Sequence, residues 1–133
     1  MNENDPYKYH SIMVIEDTPT DRYIIEHYLK KCFITSNIIA KWSAIEALEY
    51  LTSNADSKEN LPSLIFLDIR LPGMDGFEFL EEFEKLPPHV QEHCPVVMLS
   101  SSIDPWDQER AKSNRFVKKF INKPLNKEKL EDL

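Results

Sequence analysis

Glycine is nearly missing from this 133-residue sequence, which has only Gly73 and Gly76. No glycine-rich or Ser/Thr-rich cradle follows the first apolar run, so a flavin- or nucleotide-type phosphate loop is not expected there. Cysteine is equally scarce: Cys32 and Cys94 lie far apart, without metal-ligand spacing. They read as free thiols in a reducing compartment rather than as a disulfide framework. No apolar run approaches the roughly 20 residues of a membrane span, and the opening Met1-Asn2-Glu3-Asn4-Asp5-Pro6 is too polar and acidic for a signal peptide. A cytoplasmic location is expected. Basic charge is in deficit, with a formal net charge of −7, which argues against a general grip on nucleic acid. Arg115, Lys118 and Lys119 stand close together and read as a solvated edge rather than a basic patch.

What is present fits one globular domain, with 41% hydrophobic and 29% charged residues. Four short apolar runs stand out: Ile12–Ile15, Ile38–Ala40, Leu64–Leu67 and Val96–Leu99. Each has the length of a strand and is close to uniformly apolar, as in strands buried on both faces of a parallel sheet. A fifth run, Val117–Ile121, is interrupted by Lys118 and Lys119, which suits an edge strand. Helical spacing links Ile24, Ile25, Tyr28, Leu29 and Cys32, then Ala44, Ile45, Leu48 and Leu51, then Phe77, Leu80, Phe83 and Leu86. A fourth helix is expected from Pro105 with Asp104 as its cap, and a short fifth after Asn126. This alternation predicts an α/β fold over 1–133, a parallel sheet with helices on both faces, and a polar extension over residues 1–10. Pro19, Pro62, Pro72, Pro87, Pro88, Pro95, Pro105 and Pro124 all fall at the proposed boundaries, and both glycines fall in the loop after Asp68.

In open α/β sheets ligands bind beyond the carboxyl ends of the strands. The first run ends on Glu16-Asp17, the third on Asp68, the fourth on Ser100-Ser101-Ser102, and the fifth is followed by Lys123-Pro124. Taken singly, these are ordinary turn, cap and loop residues. Together they place three acids, a hydroxyl and a lysine on one rim. Clustered carboxylates repel one another unless a cation sits among them, and hard oxygen donors suit Mg²⁺. A carboxylate so screened can act as a nucleophile toward phosphorus, with Lys123 and Ser100 receiving phosphoryl oxygens. The histidines offer no comparable set. His89 and His93 are expected in a loop after Pro87-Pro88, and His10 and His27 on the surface.

The segments Ile15-Glu16-Asp17, Leu67-Asp68-Ile69-Arg70-Leu71-Pro72-Gly73-Met74-Asp75-Gly76, Met98-Leu99-Ser100-Ser101 and Phe120-Ile121-Asn122-Lys123-Pro124-Leu125 occur in the order and rough spacing of one family's motifs. The chain resembles the response-regulator receiver domains of two-component signalling, across essentially its whole length. The resemblance implies a doubly wound, flavodoxin-like fold: a five-stranded parallel sheet of order 2-1-3-4-5 with five helices.

It also implies that Asp68 accepts phosphate from a histidine kinase or histidine phosphotransfer protein. Mg²⁺ would be held by Asp17, Asp68 and the main-chain carbonyl of Arg70, with Glu16 acting through water. Ser100 and Lys123 would bind the phosphoryl group, Phe120 would stand at the switch position, and the Lys123-Pro124 bond would be cis. Such a domain is a phosphoacceptor rather than an enzyme with separate turnover. It signals through a face made of the fourth helix, fifth strand and fifth helix, toward a downstream protein or a second copy of itself. Trp106 either marks that partner surface or packs on its own helix and loop. Here the first acid is Glu where Asp is commoner, Ser100 stands for the frequent Thr, and Phe120 lacks a phenolic oxygen. A haloacid-dehalogenase-like phosphohydrolase fits less well, because Arg70 stands where that family has its second acid. A non-phosphorylated scaffold is the other rival. Leu133 stands about two helical turns after Asn126; with Met1 close to the first strand, a stand-alone regulator is expected, the alternative being a piece of a longer regulator with a DNA-binding or enzymatic module.

Overall fold

A computed structural model describes residues 6–102 and 104–133, so the first half of the polar extension and the Met1 start lie outside the described residues. The five strands are β1 (Ile12–Ile15), β2 (Ile38–Lys41), β3 (Leu64–Asp68), β4 (Val96–Ser100) and β5 (Val117–Asn122). The helices are α1 (Pro19–Lys31), α2 (Ala44–Ser53), α3 (Gly76–Phe83), α4 (Pro88–His93), α5 (Pro105–Lys112) and α6 (Lys127–Leu130). All strand pairs are parallel, in the order β2-β1-β3-β4-β5. The sheet is the one expected.

Strand pleating sorts the apolar runs onto two faces. Met13, Ile15, Ile65, Leu67, Val96 and Met98 join a core with α2, α3, Val90 of α4 and Ala111 of α5. Ile12, Val14, Leu64, Phe66, Val97 and Leu99 pack instead with Ile25 and Leu29 of α1 and Leu130 of α6. Side chains on both faces are thus covered, which is why the runs look continuous rather than alternating. Among the described residues no helix is long and apolar enough to cross a membrane.

Two local features correct the sequence reading. The segment after Pro87 was expected to be a loop, making five helices; it forms α4, making six among the described residues. Pro88 at the first helical position needs no backbone donor, and Val90 is buried as an anchor. His89 and His93 are therefore on a helix, with ring nitrogens near the carbonyl oxygens of Ala55 (2.6 Å) and Pro62 (3.1 Å).

The second feature is in β5. Its register against β4 shifts between Val96 and Val97, pairing Val117 with Val96 but Lys119 with Val97. A plain strand would turn residues 117 and 120 to opposite faces; the extra residue lets Val117 and Phe120 pack on the same core. The two lysines that blurred this strand are engaged at the edge. Lys118 donates to the Tyr9 hydroxyl, and Lys119 pairs with Asp132 and donates to the Lys129 carbonyl. Tyr9 is also tied down by its N–H to the Ile34 carbonyl, so the extension lies against the loop after α1.

Candidate functional site

β3, β4 and β5 each run one residue beyond the apolar run that marks them, whereas β1 ends with its run at Ile15. Asp68 and Ser100 are the last residues of β3 and β4, still in register with Leu99 and Asn122. The backbone ladder continues although the side chain has changed character, so both groups are fixed by the sheet itself. Glu16 and Asp17 follow β1 directly, with Glu16 buried; its N–H donates to the Lys41 carbonyl at 3.1 Å. Lys123 follows β5, and its N–H donates to the Ser100 carbonyl at 2.8 Å. The Lys123-Pro124 peptide is cis.

These elements bring the acids together. Donor oxygens of Glu16, Asp17 and Asp68 all lie within 4.8 Å of one another. The Lys123 ammonium sits among them, 3.0 Å from Glu16 Oε2, 3.3 Å from Asp68 Oδ2 and 3.0 Å from Asp21 Oδ2. Glu16 and Asp68 side chains are only 1% and 6% exposed, so the pairing is little screened by water. Burial pushes the Glu16 carboxyl up from 4.5 to about 7; Lys123 opposes the rise and Asp68 adds to it. Burial draws the Lys123 ammonium down, but Asp68, Glu16 and Asp21 together outweigh it and hold the group above its ordinary value. A rim this rich in carboxylate attracts positive charge, and one ammonium shared among three acids does not neutralise it.

The donor set fits a hard divalent cation. All its side-chain atoms are carboxylate oxygens, and Asp17 has no hydrogen bond or ion pair among the described residues. Glu16 is less free: its Oε1 accepts from the Thr18 N–H at 3.2 Å while Oε2 faces Lys123.

The loop leaving Asp68 is shaped by the two glycines. Gly73 has a φ of +79°, the left-handed region that L side chains rarely adopt. Gly76 begins α3 so close to β3 that an added Cβ would lie 2.8 Å from the Asp68 carbonyl oxygen. Asp75 caps the helix in a reciprocal box with Glu78. The Arg70 N–H donates to Asp68 Oδ1 at 3.3 Å, while its side chain leaves the rim and pairs with Asp107 of α5 at 3.0 Å.

Ser100 is fully buried and its Oγ accepts the Ser102 N–H at 3.0 Å. Ser101 beside it is exposed. Phe120 is half-buried opposite Met98. Trp106 is 73% exposed, which removes the reading that it packs on its own helix and loop. Cys32 and Cys94 are free thiols, with Cys94 pushed up to about 12 by burial.

Sequence reasoning missed Asp21 and Asp107. Asp21 had a signal: it stands four residues after Asp17 in the first turn of α1, on the side facing the rim. Asp107 had none, since an acid in a helix's first turn ordinarily just complements the dipole.

Known proteins bear out this architecture. The sequence model described as "Response regulator receiver domain" matches residues 12–133. "Two-component response regulator ORR1" of Oryza sativa subsp. japonica is 29% identical over 124 residues, covering 92% of this chain. The match spans about half (52%) of that relative's length. A two component response regulator from Cytophaga hutchinsonii superposes with a TM-score of 0.86 at 26% identity, covering 94% of this chain and 93% of that one. The Mn(2+)-bound form of response regulator Rcp1, a protein of Synechocystis sp., gives a TM-score of 0.72 at 27% identity, covering 91% and 86%. A five-stranded 2-1-3-4-5 sheet with an acidic cluster at its carboxyl rim, matched to that family over nearly its whole length, makes this chain a member of the response regulator receiver domain family of two-component signalling.

Proposed function

We propose that the domain accepts a phosphoryl group on Asp68 from a phosphohistidine of a histidine kinase or phosphotransfer protein, in a Mg²⁺-dependent step. The observation that carries the reading is the Lys123 ammonium held within 3.3 Å of Asp68 Oδ2 and 3.0 Å of Glu16 Oε2 at the strand ends. In the transfer, an Asp68 carboxylate oxygen forms the new P–O bond while the P–N bond to the donor imidazole breaks, its electron pair leaving with the imidazole. No proton has to be removed from the nucleophile, because a carboxylate is already ionised. Lys123 and Ser100 take up phosphoryl oxygens, as phosphoryl transfer depends mainly on positioning and charge stabilisation.

Asp17, Asp68 and the Arg70 main-chain carbonyl, with Glu16 through water, are the groups that would hold Mg²⁺; bound there it supplies charge neutralisation at the transferring oxygens. Exposed Ser101 leaves the acyl phosphate open to water and to self-dephosphorylation, the only hydrolysis expected of a domain that is a signal carrier rather than an enzyme. Turning of the Ser100 hydroxyl vacates space for Phe120, biasing the face built by α5, β5 and α6 toward a downstream protein or a second copy. The free thiols fit work in the cytoplasm.

The test is incubation with acetyl phosphate or beryllofluoride, with and without Mg²⁺, comparing the wild type with Asp68→Ala. The proposal expects a Mg²⁺-dependent adduct in the wild type alone. No adduct from any donor would mean a scaffold, and steady release of phosphate from varied monoesters would mean a phosphohydrolase.

A further inference from the structure

Helix α5 is held differently from the other long helices. α1 buries Ile25 and Leu29, α2 buries Ala44, Ala47 and Leu51, and α3 buries Phe77, Phe79, Leu80 and Phe83. The buried residues of α5 are Asp107 and Ala111 alone. Ala111 joins the core and α5 lies along β5, but one methyl group is a small apolar anchor, so polar contacts carry more of the position of α5 than of the other long helices.

Those contacts lead back to the acceptor loop. The Asp107 carboxylate, 9% exposed, accepts from the Arg70 guanidinium at 3.0 Å, its one side-chain partner among the described residues. The Arg110 guanidinium of α5 lies 4.1 Å from the centre of the Phe77 ring at the start of α3. A third tie runs through the loop before α5. Ser100 Oγ accepts the Ser102 N–H, Ser102 Oγ accepts the Asp104 N–H, and Asp104 Oδ1 accepts the Trp106 N–H, at 3.0, 3.1 and 3.0 Å. α5 therefore hangs from the surroundings of Asp68.

Arg70 is the tie that can move. Its side chain is 65% exposed and rooted two residues after Asp68, with its N–H 3.3 Å from Asp68 Oδ1. A phosphoryl group on Asp68 adds negative charge and further acceptor oxygens beside that root, and a guanidinium prefers a phosphate fork to a single carboxylate oxygen. Asp107 then loses its one side-chain partner while nearly buried, which favours a displacement of α5 that brings the carboxylate to water.

We propose that Arg70 latches α5 to the acceptor loop through Asp107, and that a phosphoryl group on Asp68 opens the latch by drawing the guanidinium away. The opening step rests on Asp68 being the acceptor; the latch itself does not. Arg70 is thus a positioning residue for the output helix, in addition to whatever its carbonyl does for a cation.

Hydrogen exchange of the amides over residues 105–112 tests both parts, in the wild type, Arg70→Met, Arg70→Lys and Asp107→Asn. Each is measured alone and with Mg²⁺ and beryllofluoride, with the adduct followed separately by ¹⁹F resonance. The exposure of Arg70 and the isosteric Asn keep the variants folded. Without beryllofluoride, Arg70→Met and Asp107→Asn should exchange about tenfold faster than the wild type, the factor expected for losing one charge-assisted hydrogen bond, and Arg70→Lys should recover part of the protection. With the adduct formed, the wild type should rise toward the level of Arg70→Met, which should change little further. Wild-type protection in the variants alone would overturn the latch. A formed adduct that leaves wild-type α5 unchanged would overturn its opening. Absence of any wild-type adduct would overturn the acceptor reading, and the opening step with it, while the unliganded comparison still decides the latch.

Discussion

Replacing Gly76 by alanine should damage the proposed acceptor site around Asp68 through the backbone, although the side chain added is a single methyl group. That methyl would lie 2.8 Å from the Asp68 carbonyl oxygen, 2.9 Å from Ile69 Cα and 3.2 Å from Met98 Cε. Carbon contacts are comfortable at about 3.5–4.0 Å, so several tenths of an ångström must be found. The Met98 methyl can swing aside, but the other two atoms belong to the strand end that carries Asp68. Overpacking of this kind costs about 1–3 kcal/mol, offset by roughly 0.4–1 kcal/mol from the stiffer unfolded chain. A net loss of about 1–2 kcal/mol corresponds to a fall in Tm of roughly 3–8 °C for a domain of this size.

The chemical consequence follows from where the strain goes. A 1 Å misplacement costs about 100-fold in a positioned reaction, so a shift of a few tenths should slow acetyl-phosphate labelling of Asp68 by roughly threefold. Gly73→Ala is the control. Nothing lies within 4 Å of its Cβ, so its cost is the left-handed backbone alone, about 1–2 kcal/mol. It should lose stability without slowing the labelling, and Gly73→Asn should regain part of the loss. Urea unfolding and the labelling rate, measured on all three, decide the matter. A Gly76→Ala protein within 0.5 kcal/mol of the wild type and labelled at the wild-type rate would refute the close-approach reasoning.

Two further outcomes follow from the rim. Lys123→Met removes the one ammonium that Glu16, Asp21 and Asp68 share, so metal-free stability should fall by about 3–5 kcal/mol. Mg²⁺ should bind the variant more tightly, and titration calorimetry showing equal or weaker binding would count against competition for the same carboxylates. Glu16, raised from 4.5 to about 7, keeps its proton in the folded state over a range where the unfolded chain has lost it. Stability of the metal-free domain should therefore fall as pH rises from about 4.5 to 7 and level off above, by an amount of order 2–3 kcal/mol that Glu16→Gln removes; urea unfolding in chelator across that range measures it.

Much of this was legible in the sequence because its signals are physical and local. The apolar runs at Ile12–Ile15, Leu64–Leu67 and Val96–Leu99 give strands buried on both faces, whereas Ile38–Ala40, read the same way, forms the half-exposed edge strand β2; the residue that follows each buried run is delivered to the rim by the ladder itself. Asp68 and Ser100 were placed correctly for that reason. The acidic cluster at Glu16, Asp17 and Asp68 followed from the same rule applied at two strand ends, those of β1 and β3. The misses come from interactions without periodicity. Helix α4 hid behind two prolines, because Pro87-Pro88 marks a loop and a helix start equally well. The shift in β5 is a tertiary adjustment that lets Val117 and Phe120 share a core. Asp107 was invisible because its partner, Arg70, lies 37 residues away.

The same contrast explains how a single charge can act at a distance in a well-packed domain. The sheet and the helices α1, α2 and α3 are held by apolar side chains, whose burial free energy is indifferent to charge at the rim. A charge added at the rim acts most directly on what is held electrostatically. Next to Asp68 that means the cluster around Lys123 and the helix tied through Arg70, Asp107 and the hydrogen bonds of Ser100, Ser102 and Asp104. The first lies where the charge arrives. The second carries Trp106 into solvent on its outer side, so whatever moves α5 also moves the most exposed large apolar side chain among the described residues. Its composition, Pro-Trp-Asp-Gln-Glu-Arg-Ala-Lys, offers Ala111 as its one buried apolar side chain. On the proposed latch, weak apolar anchoring is what would make it responsive, since a helix with a full apolar stripe would keep its place whatever charge Asp68 carried.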